Sequence, residues 1–191
     1  MSSELRTNTI VPASGTNLTL GSNGDTVEFA SGTTVSGLST GKVLQVVTWS
    51  DNTHITYAAQ TSTWTAMSGI AASITPTSTS SKIIVQMSLN ISSVSYSAFR
   101  YTRNGTQILL GSSYSSNTIA STGYNGYYPI TPHVMTVCYF DSPSTTSAVE
   151  YSLDYLTPWS AGGVVYYNRG YQADSYRNTG TSIIILTEIE G

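Results

Sequence analysis

Residues 81–92, which read SKIIVQMSLNIS, decide the fold class of this chain. Apolar residues occupy every second position of the segment, at Ile83, Val85, Met87, Leu89 and Ile91. Polar residues fill three of the positions between them, at Gln86, Ser88 and Asn90. Because successive side chains of a β-strand point to opposite faces, this alternation predicts an antiparallel strand with one buried and one solvated face.

The chain repeats this kind of pattern from Lys42 onward. Seven further runs are rich in β-branched and aromatic residues and are separated by Gly, Pro, Ser, Asn and Asp. They read KVLQVVTW, THITYAA, SAFRYTRNGTQILLG, HVMTVCYF, SAVEYSLDYL, GVVYYNR and TSIIILTEIE. No window has the apolar stripe of an amphipathic helix. About eight strands without a helix predict an all-β antiparallel sandwich, and a two-sheet jelly roll is the commonest arrangement that limits the exposed edges.

Two of these runs allow finer predictions. In SAVEYSLDYL, we expect the buried face to hold Val149, Tyr151, Leu153 and Tyr155. The opposite, solvated face then holds Glu150, Ser152 and Asp154. In FRYTRNGTQILL, the pair Asn104 and Gly105 predicts a β-hairpin, because both residue types tolerate positive φ.

The last run is apolar at four consecutive positions, from Ile183 to Leu186. A strand that is apolar on both faces is usually central and covered on both sides. The cover is either the second sheet of the same chain or another subunit. We expect Ile185 to be buried in the core together with Leu153.

The first forty residues have a different pattern. Residues 17–37 read NLTLGSNGDTVEFASGTTVSG, and Gly15, Gly24, Gly32 and Gly41 fall 9, 8 and 9 residues apart. Glycine and the low helix propensity of Thr, Val, Ser and Asn exclude a helix, so short strands with turns are expected. We therefore divide the chain into an N-terminal segment of short strands, residues 1–40, and a strand-rich domain, residues 41–191.

Composition narrows the class of partner. Hydrophobic residues make up 39% of the 191 residues, which is enough for one core, but charged residues make up only 9% against a usual ~25%. Seven Lys and Arg against ten Asp and Glu leave no basic surface for nucleic acid. The Ser, Thr, Asn, Gly and Tyr that must cover the surface suit carbohydrate or protein contacts. The sequence shows no signal peptide and no apolar run of ~18 residues, so membrane insertion is not expected.

A search for catalytic chemistry finds no candidate. Cys138 lies in a strand-like run and is expected to be a small buried hydrophobe, and His54 and His133 are expected at strand ends or on the surface. Glu188 and Glu190 share one face of the last strand, where a glycosidase pair is conceivable, but a solvated strand end is expected. A calcium site that uses Asp51, Asp141, Asp154 or Asp174 stays open as an alternative, although no loop with regularly spaced Asp and Asn residues supports one. We expect no catalytic residue, no metal and no cofactor.

The chain has fourteen tyrosines, and many lie in two long segments that we predict to be loops, residues 110–132 and 157–180. Tyr, Ser, Gly and Asn also dominate antibody paratopes, where rigid aromatic rings give contact area at a low entropic cost. Packing of individual tyrosines against the sandwich or a neighbouring subunit is the alternative. The receptor-binding candidates are Tyr114, Tyr124, Tyr127, Tyr128, Trp159, Arg169, Tyr171, Tyr176 and Arg177. Asn125 and Asn168 join the two arginines as candidates to bond sugar hydroxyls.

The glycine-punctuated TNTIVPASGTNLTLGSNGDTVEFASGTTVSGL, followed by SSKIIVQMSLNIS, FRYTRNGTQILLGS, FDSPSTTSAVEYSLDY and IIILTEIEG, resembles fibre proteins of tailed bacteriophages, particularly those of marine hosts. The resemblance covers nearly the whole chain and rests on its layout. It implies that residues 1–40 form an N-terminal attachment segment and a slender trimeric β-shaft, and that residues 41–191 form a jelly-roll head similar to those of the complement and tumour necrosis factor class. This chain differs from long tail fibres because its shaft has only about forty residues.

The resemblance implies a homotrimer, and the shaft has a physical reason to need one. Short strands that expose a few apolar side chains are stable only if equivalent strands of other chains cover them. The side chains expected to meet in the shaft are Leu18, Leu20, Val27, Phe29 and Val35. Two functions stay open: a head that binds a host-surface glycan or protein, and a structural virion component, on capsid or tail, that has no receptor role. Both place the protein on the virion surface, docked on other virion proteins through its N-terminus.

Overall fold

A computed structural model of the chain describes residues 42–112, 120–125, 132–158, 162–171 and 178–191, together with Ile10 and Thr26. The regular elements among these residues are all β-strands. They are β1 (Val43–Asp51), β2 (Ile55–Tyr57), β3 (Thr65–Ile74), β4 (Lys82–Ser93), β5 (Tyr96–Arg103), β6 (Thr106–Ile108), β7 (Thr122–Asn125), β8 (His133–Asp141), β9 (Val149–Leu156), β10 (Val165–Tyr167) and β11 (Ser182–Ile189). These strands belong to a unit that runs from Ser39 to Gly191. In this described part of the chain, no helix is long and apolar enough to cross a bilayer.

The predicted shaft lies almost entirely outside the described residues. This holds for each of its proposed contact residues, Leu18, Leu20, Val27, Phe29 and Val35. The shaft and its assembly therefore stay predictions.

Six strands form the front sheet. Antiparallel pairing places β1 beside β11, β11 beside β4, and β4 beside β8. Strand β10 pairs with residues 91–93 of β4, on the same edge as β11, and β2 lies beside β10. Strands β10 and β11 are therefore two parts of one interrupted strand, and β1 and β2 form the neighbouring interrupted strand.

Five strands form the back sheet. Strand β9 lies between β3 and β5, while β6 and β7 follow each other along the far edge of β5. The chain passes from front to back and returns three times, with β3, then β5 to β7, then β9 in the back sheet. Two antiparallel sheets connected in this way form a jelly roll, which confirms the predicted fold class.

The core fills the space between the two sheets. The predicted inward faces of β4 and β9 are confirmed, because all of their alternating apolar side chains are buried. Five tyrosines belong to this core: Tyr57, Tyr101, Tyr151, Tyr155 and Tyr167. Burial raises the pKa of Tyr101 to about 12 and is the main cause of the same pKa for Tyr167, so both phenols stay neutral at physiological pH.

Local structure agrees with the sequence at the hairpin and differs at two strands. Asn104 and Gly105 have φ angles of 49° and 72°, which confirms the predicted hairpin turn. Strand β3 was not predicted, because its sequence TAMSGIAASI has small side chains and a central Gly69 at φ 89°. A bulge lies there: Ala66 and Ala71 are five positions apart in β3, but they pair with Asp154 and Ser152, which are only two positions apart in β9. Strand β7 lies in a segment that was expected to be a loop.

Three predictions about burial are wrong. Cys138 is exposed, because it pairs with the outward-facing Gln86 while Met135 and Val137 of β8 face the core. Ile185 pairs with Gln86 from the other side, so it is only half-buried on the outer face. Asp154 is only 8% exposed, although it faces outward as expected, since Arg100 covers it.

Candidate binding site

Most of the strand termini that flank the Tyr-rich segments lie towards one end of the sandwich; the end of β6 is an exception, because Ile108 pairs with Tyr101 in the middle of β5. This end of the sandwich is where β4 passes into β5, between Ser93 and Tyr96. Strand β9 ends there, since Leu156 pairs with Ala98, and β8 begins there, since His133 pairs with Ile91. Strand β7 runs toward the same end, where Asn125 pairs with Tyr96, and β10 pairs with the last residues of β4. We call this end the loop end.

Most of the predicted site residues lie outside the described residues. They are Tyr114, Tyr127, Tyr128, Trp159, Tyr176 and Arg177. The backbone of Tyr124 belongs to β7, and its side chain is outside the described set, as is that of Asn125. Arg169, Tyr171 and Asn168 remain, and all three follow β10 directly.

Asn168 fixes the point where the chain leaves the front sheet. Its φ of 57° turns the chain out of β10, and its backbone N–H donates to the carbonyl of Asn90 at 2.8 Å. Its own carbonyl accepts from the N–H of Gly180 at 3.0 Å, which closes the base of the segment between them. A Cβ at Gly180 would lie 2.5 Å from the Asn90 side chain, so a larger residue here would displace that side chain.

The side chain of Asn168 connects the end of β1, the β1–β2 connection and the start of β11. Its amide Nδ2 donates to the carbonyls of Asp51 at 2.9 Å and Thr53 at 3.1 Å, and its Oδ1 accepts from Ser182 Oγ at 2.7 Å. Asn168 is fully buried. The prediction that it bonds a sugar hydroxyl is therefore wrong, because every polar atom of its amide faces a neighbouring segment of the chain. It positions the loop instead.

Arg169, Tyr166 and Tyr171 form an aromatic cluster on this base. The Arg169 guanidinium lies over the Tyr166 ring, 4.7 Å from its centroid, and its Nη2 donates to Thr56 Oγ1 at 2.6 Å. The rings of Tyr166 and Tyr171 meet edge to face at 5.7 Å. The backbone of Arg169 also pairs with Thr179, which brings the two ends of residues 170–178 together.

The cluster presents one tyrosine and buries the other. Tyr171 is 47% exposed, whereas Tyr166 is only 6% exposed. Burial raises the pKa of Tyr166, the nearby Tyr171 adds to the rise, and Arg169 opposes it. Tyr166 and Tyr167 lie in β10, as the strand-like run GVVYYNR predicted, so the expectation that they also belong to the long loop of residues 157–180 is wrong. Tyr166 is a support for Arg169 and Tyr171.

The other Tyr-rich segment has a closed base of the same kind. The N–H of Gly111 donates to the carbonyl of Ala120 at 3.0 Å, and the N–H of Ser121 donates to the carbonyl of Phe99 at 2.9 Å. Ser121 Oγ accepts from the N–H of Tyr101 at 3.2 Å. Residues 112–119 therefore leave from and return to a fixed point on the back sheet.

Tyr96 is a candidate that the sequence analysis missed. It begins β5 at the loop end and is 50% exposed. Its place in the strand-like run SVSYSAFR gave no signal of a surface role, because β-strands normally contain tyrosine. The register of β5 and β7 was needed to bring it to the loop end.

Acidic residues elsewhere are engaged by neighbours. Arg103 Nη1 donates to both carboxylate oxygens of Asp141, at 2.8 and 2.9 Å, and Tyr151 donates to the same carboxylate at 2.6 Å. Arg100 binds Asp154, and Thr53 donates to Asp51 through its N–H and its hydroxyl. Asp174 lies outside the described residues, and those that are described contain no cluster that could hold a metal ion.

The two histidines agree with the prediction, but one of the last two glutamates does not. His54 and His133 are exposed as predicted. Glu190 is exposed, but Glu188 is fully buried, so the prediction of a solvated strand end is wrong for it. Its carboxylate accepts from Gln45 Nε2 at 2.6 Å and from the N–H and the hydroxyl of Thr77 at 2.7 Å each.

No protein family model matches the chain, and no curated protein matches its sequence. The geometry of the loop end is therefore the main guide to function.

Proposed function

We propose that this protein is a non-catalytic, homotrimeric fibre protein of a bacteriophage virion that binds a host-surface glycan or protein through the Tyr-rich loops of its head. The observation that supports the proposal most is the loop end, where most of the strand termini that flank the Tyr-rich segments lie. Binding residues are commonly presented on loops that a rigid scaffold positions. The buried Asn168 and the bond between Gly111 and Ala120 supply such fixed loop bases.

The chemistry of the described cluster suits a neutral ligand such as a sugar. Tyr171 offers an exposed ring, and its phenol is both a donor and an acceptor. Arg169 is already held by the Tyr166 ring and by Thr56, so little side-chain entropy is lost when it contacts a ligand. The apolar C–H faces of a sugar pack on tyrosine, while the arginine donates to its hydroxyls.

Assembly would raise the affinity of such a site. One exposed tyrosine and one arginine give a weak contact, but three linked heads raise the effective concentration of each further site. In this proposal the first forty residues form the trimeric shaft and dock on other virion proteins. The head then faces the host at the virion surface.

The test is adsorption of virions that carry substituted heads. Tyr127→Ala with Tyr128→Ala, Tyr171→Ala and Tyr96→Ala should each lower the adsorption rate, by about tenfold where the residue is a binding hot spot. Thr106→Ala is the control, because Thr106 is exposed beside the hairpin at the opposite end of the sandwich. Sedimentation and thermal unfolding show whether each variant keeps its assembly and fold.

The same experiment decides between the two functions. If all of these variants fold, assemble and adsorb like the wild type, the receptor role is excluded. The structural role on the virion, as a capsid-attached or tail-attached fibre, then replaces it.

A further inference from the structure

The outer side of the front sheet carries an uncharged apolar surface, which we call the front face. Strand registers place its side chains in rows that cross β1, β11, β4 and β8. One row contains Thr48, Ile185, Gln86 and Cys138. The next row contains Val46, Thr187, Ile84 and Phe140. Between Lys82 at one end and Arg169 at the other, the described outward positions of these strands carry no charge.

Large apolar side chains are exposed across the whole width of the front face. Phe140 is 62% exposed, Val134 57%, Val46 54% and Ile183 40%. A shallow groove of about 370 Å³ runs through its middle, between β8 and β11, and Cys138 and Ile183 are among the residues that line it. A single soluble chain has no reason to keep so many apolar groups in water.

Strand β11 is apolar on both of its sides, although the described part of the chain covers only one of them. Ile184 and Leu186 are fully buried against the back sheet, so its inner side is complete within the chain. Ile183 and Ile185 make its outer side equally apolar. Strands with this composition are usually covered on both sides.

We infer that the front face is the surface through which the heads of this protein pack against one another, so that its occupant is a second copy of the same chain. Four strands about 4.8 Å apart and about 30 Å long present on the order of 600 Å² in projection, which is close to the ~800 Å² per partner of a stable interface. In a cyclic trimer each head contacts two neighbours, and an uncharged face meets them without repulsion between like charges, while it offers nothing to a partner recognised by charge.

The inference adds a surface to the homotrimer of the proposed function and rests on that proposal for its stoichiometry. Val43 begins β1 at the rim of the front face, and the residues before it belong to the proposed shaft. A shaft alone would leave the heads free to move apart. Contacts through the front face would hold them together.

Cys138 is a natural reporter of this contact, because it is the only cysteine of the chain and lies in the front-face groove. The full chain is sedimented at micromolar concentration, and the thiol is labelled with N-ethylmaleimide under the same conditions. We expect a trimer whose thiol reacts at least about tenfold more slowly than in the urea-unfolded chain. A trimer with a freely reactive thiol would overturn the inference while leaving shaft assembly and receptor binding intact.

Two further outcomes would also overturn it. A monomer with a reactive thiol means that nothing covers the front face, and it contradicts the homotrimer as well. A monomer with a protected thiol means that another part of the same chain covers the face.

Two matched variants distinguish association through the front face from association through the shaft. Phe140→Glu places a charge on a side chain that is mostly exposed in the single chain, so the head should still fold. We expect it to weaken association at least about 100-fold, or to restore fast labelling of Cys138 if the shaft still holds the chains together. Thr106→Glu adds the same charge to an exposed position of the back sheet and should change neither readout. Equal behaviour of the two variants in both readouts would refute the front-face contact.

Discussion

The two outer faces of the sandwich are built from different chemistry. On the back sheet, Arg100 donates through Nε to Asp154 at 2.9 Å and through Nη1 to Gln107 at 2.8 Å, and its guanidinium lies 4.7 Å from the centroid of the Trp64 ring. Beside this group, the hydroxyls of Thr102 and Ser152 share a hydrogen bond of 2.7 Å. The front face has no ion pair of this kind at its described outward positions and combines apolar side chains such as Phe140 with uncharged polar ones such as Gln86.

This difference shows which face is complete within one chain. The back sheet satisfies its outward polar groups through neighbours on its own strands, so it needs no partner to be stable in water. The front face leaves Val46, Phe140 and Ile183 without cover from the described strands. The two faces should therefore respond differently to substitution.

The largest expected effect distinguishes the inside of the sandwich from the front face. Leu153→Ala should lower the free energy of unfolding by about 2 to 5 kcal/mol, because Leu153 is fully buried between the sheets. Ile185→Ala should cost only about 1 kcal/mol in a dilute sample, since Ile185 is half-buried and faces outward. Denaturant unfolding at several protein concentrations measures both. An equal cost for the two variants at low concentration would show that the assignment of faces is wrong.

The next largest expected effect on stability comes from Glu188, whose side chain lies on the inner side of the front sheet. Desolvation alone would raise its pKa, but the Ser81 hydroxyl, the Gln45 amide and Thr77 outweigh it and lower the pKa to about 2. The unfolded value is about 4.3, so the ionised group stabilises the fold above about pH 5, and this stabilisation is lost as the pH falls towards 2. Glu188→Gln should cost about 2 kcal/mol at neutral pH, because the amide cannot accept every bond that the carboxylate accepts.

Acid titration of the unfolding midpoint tests this assignment. The wild type should lose stability between about pH 5 and 2 more steeply than Glu188→Gln. Glu190→Gln is the matched control, because Glu190 is exposed two positions further on, and it should follow the wild-type curve. Parallel curves for wild type and Glu188→Gln would contradict the role of Glu188.

The sequence predicted the fold better than it predicted which polar groups are buried. Alternation identified the inward faces of β4 and β9, because one face of each strand is lined by large apolar side chains. It failed for Glu188 and Asn168, since their burial depends on hydrogen-bond partners far away in the chain, such as Thr77 and Asp51. It also failed for Cys138, because a strand-like run does not reveal which of its faces meets the core. At the candidate site, composition pointed to Arg169 and Tyr171, but only the strand registers locate the loop end.

The smallest expected effect concerns the ion pair between Arg100 and Asp154 on the outer face of the back sheet. Arg100 and Asp154 are both mostly buried, and their closest atoms, Nη2 and Oδ2, are 2.8 Å apart. A double-mutant cycle of Arg100→Ala and Asp154→Ala should give a coupling energy of about 1 kcal/mol, between the values typical of exposed and of fully buried pairs. Gln107→Ala should cost less, because Gln107 is exposed. None of these variants should change the sedimentation of the protein, because the back sheet already satisfies its own outer face. A shift in sedimentation with Arg100→Ala, in a chain that stays folded, would show that the back sheet also contacts a neighbour and that the contrast between the two faces is wrong.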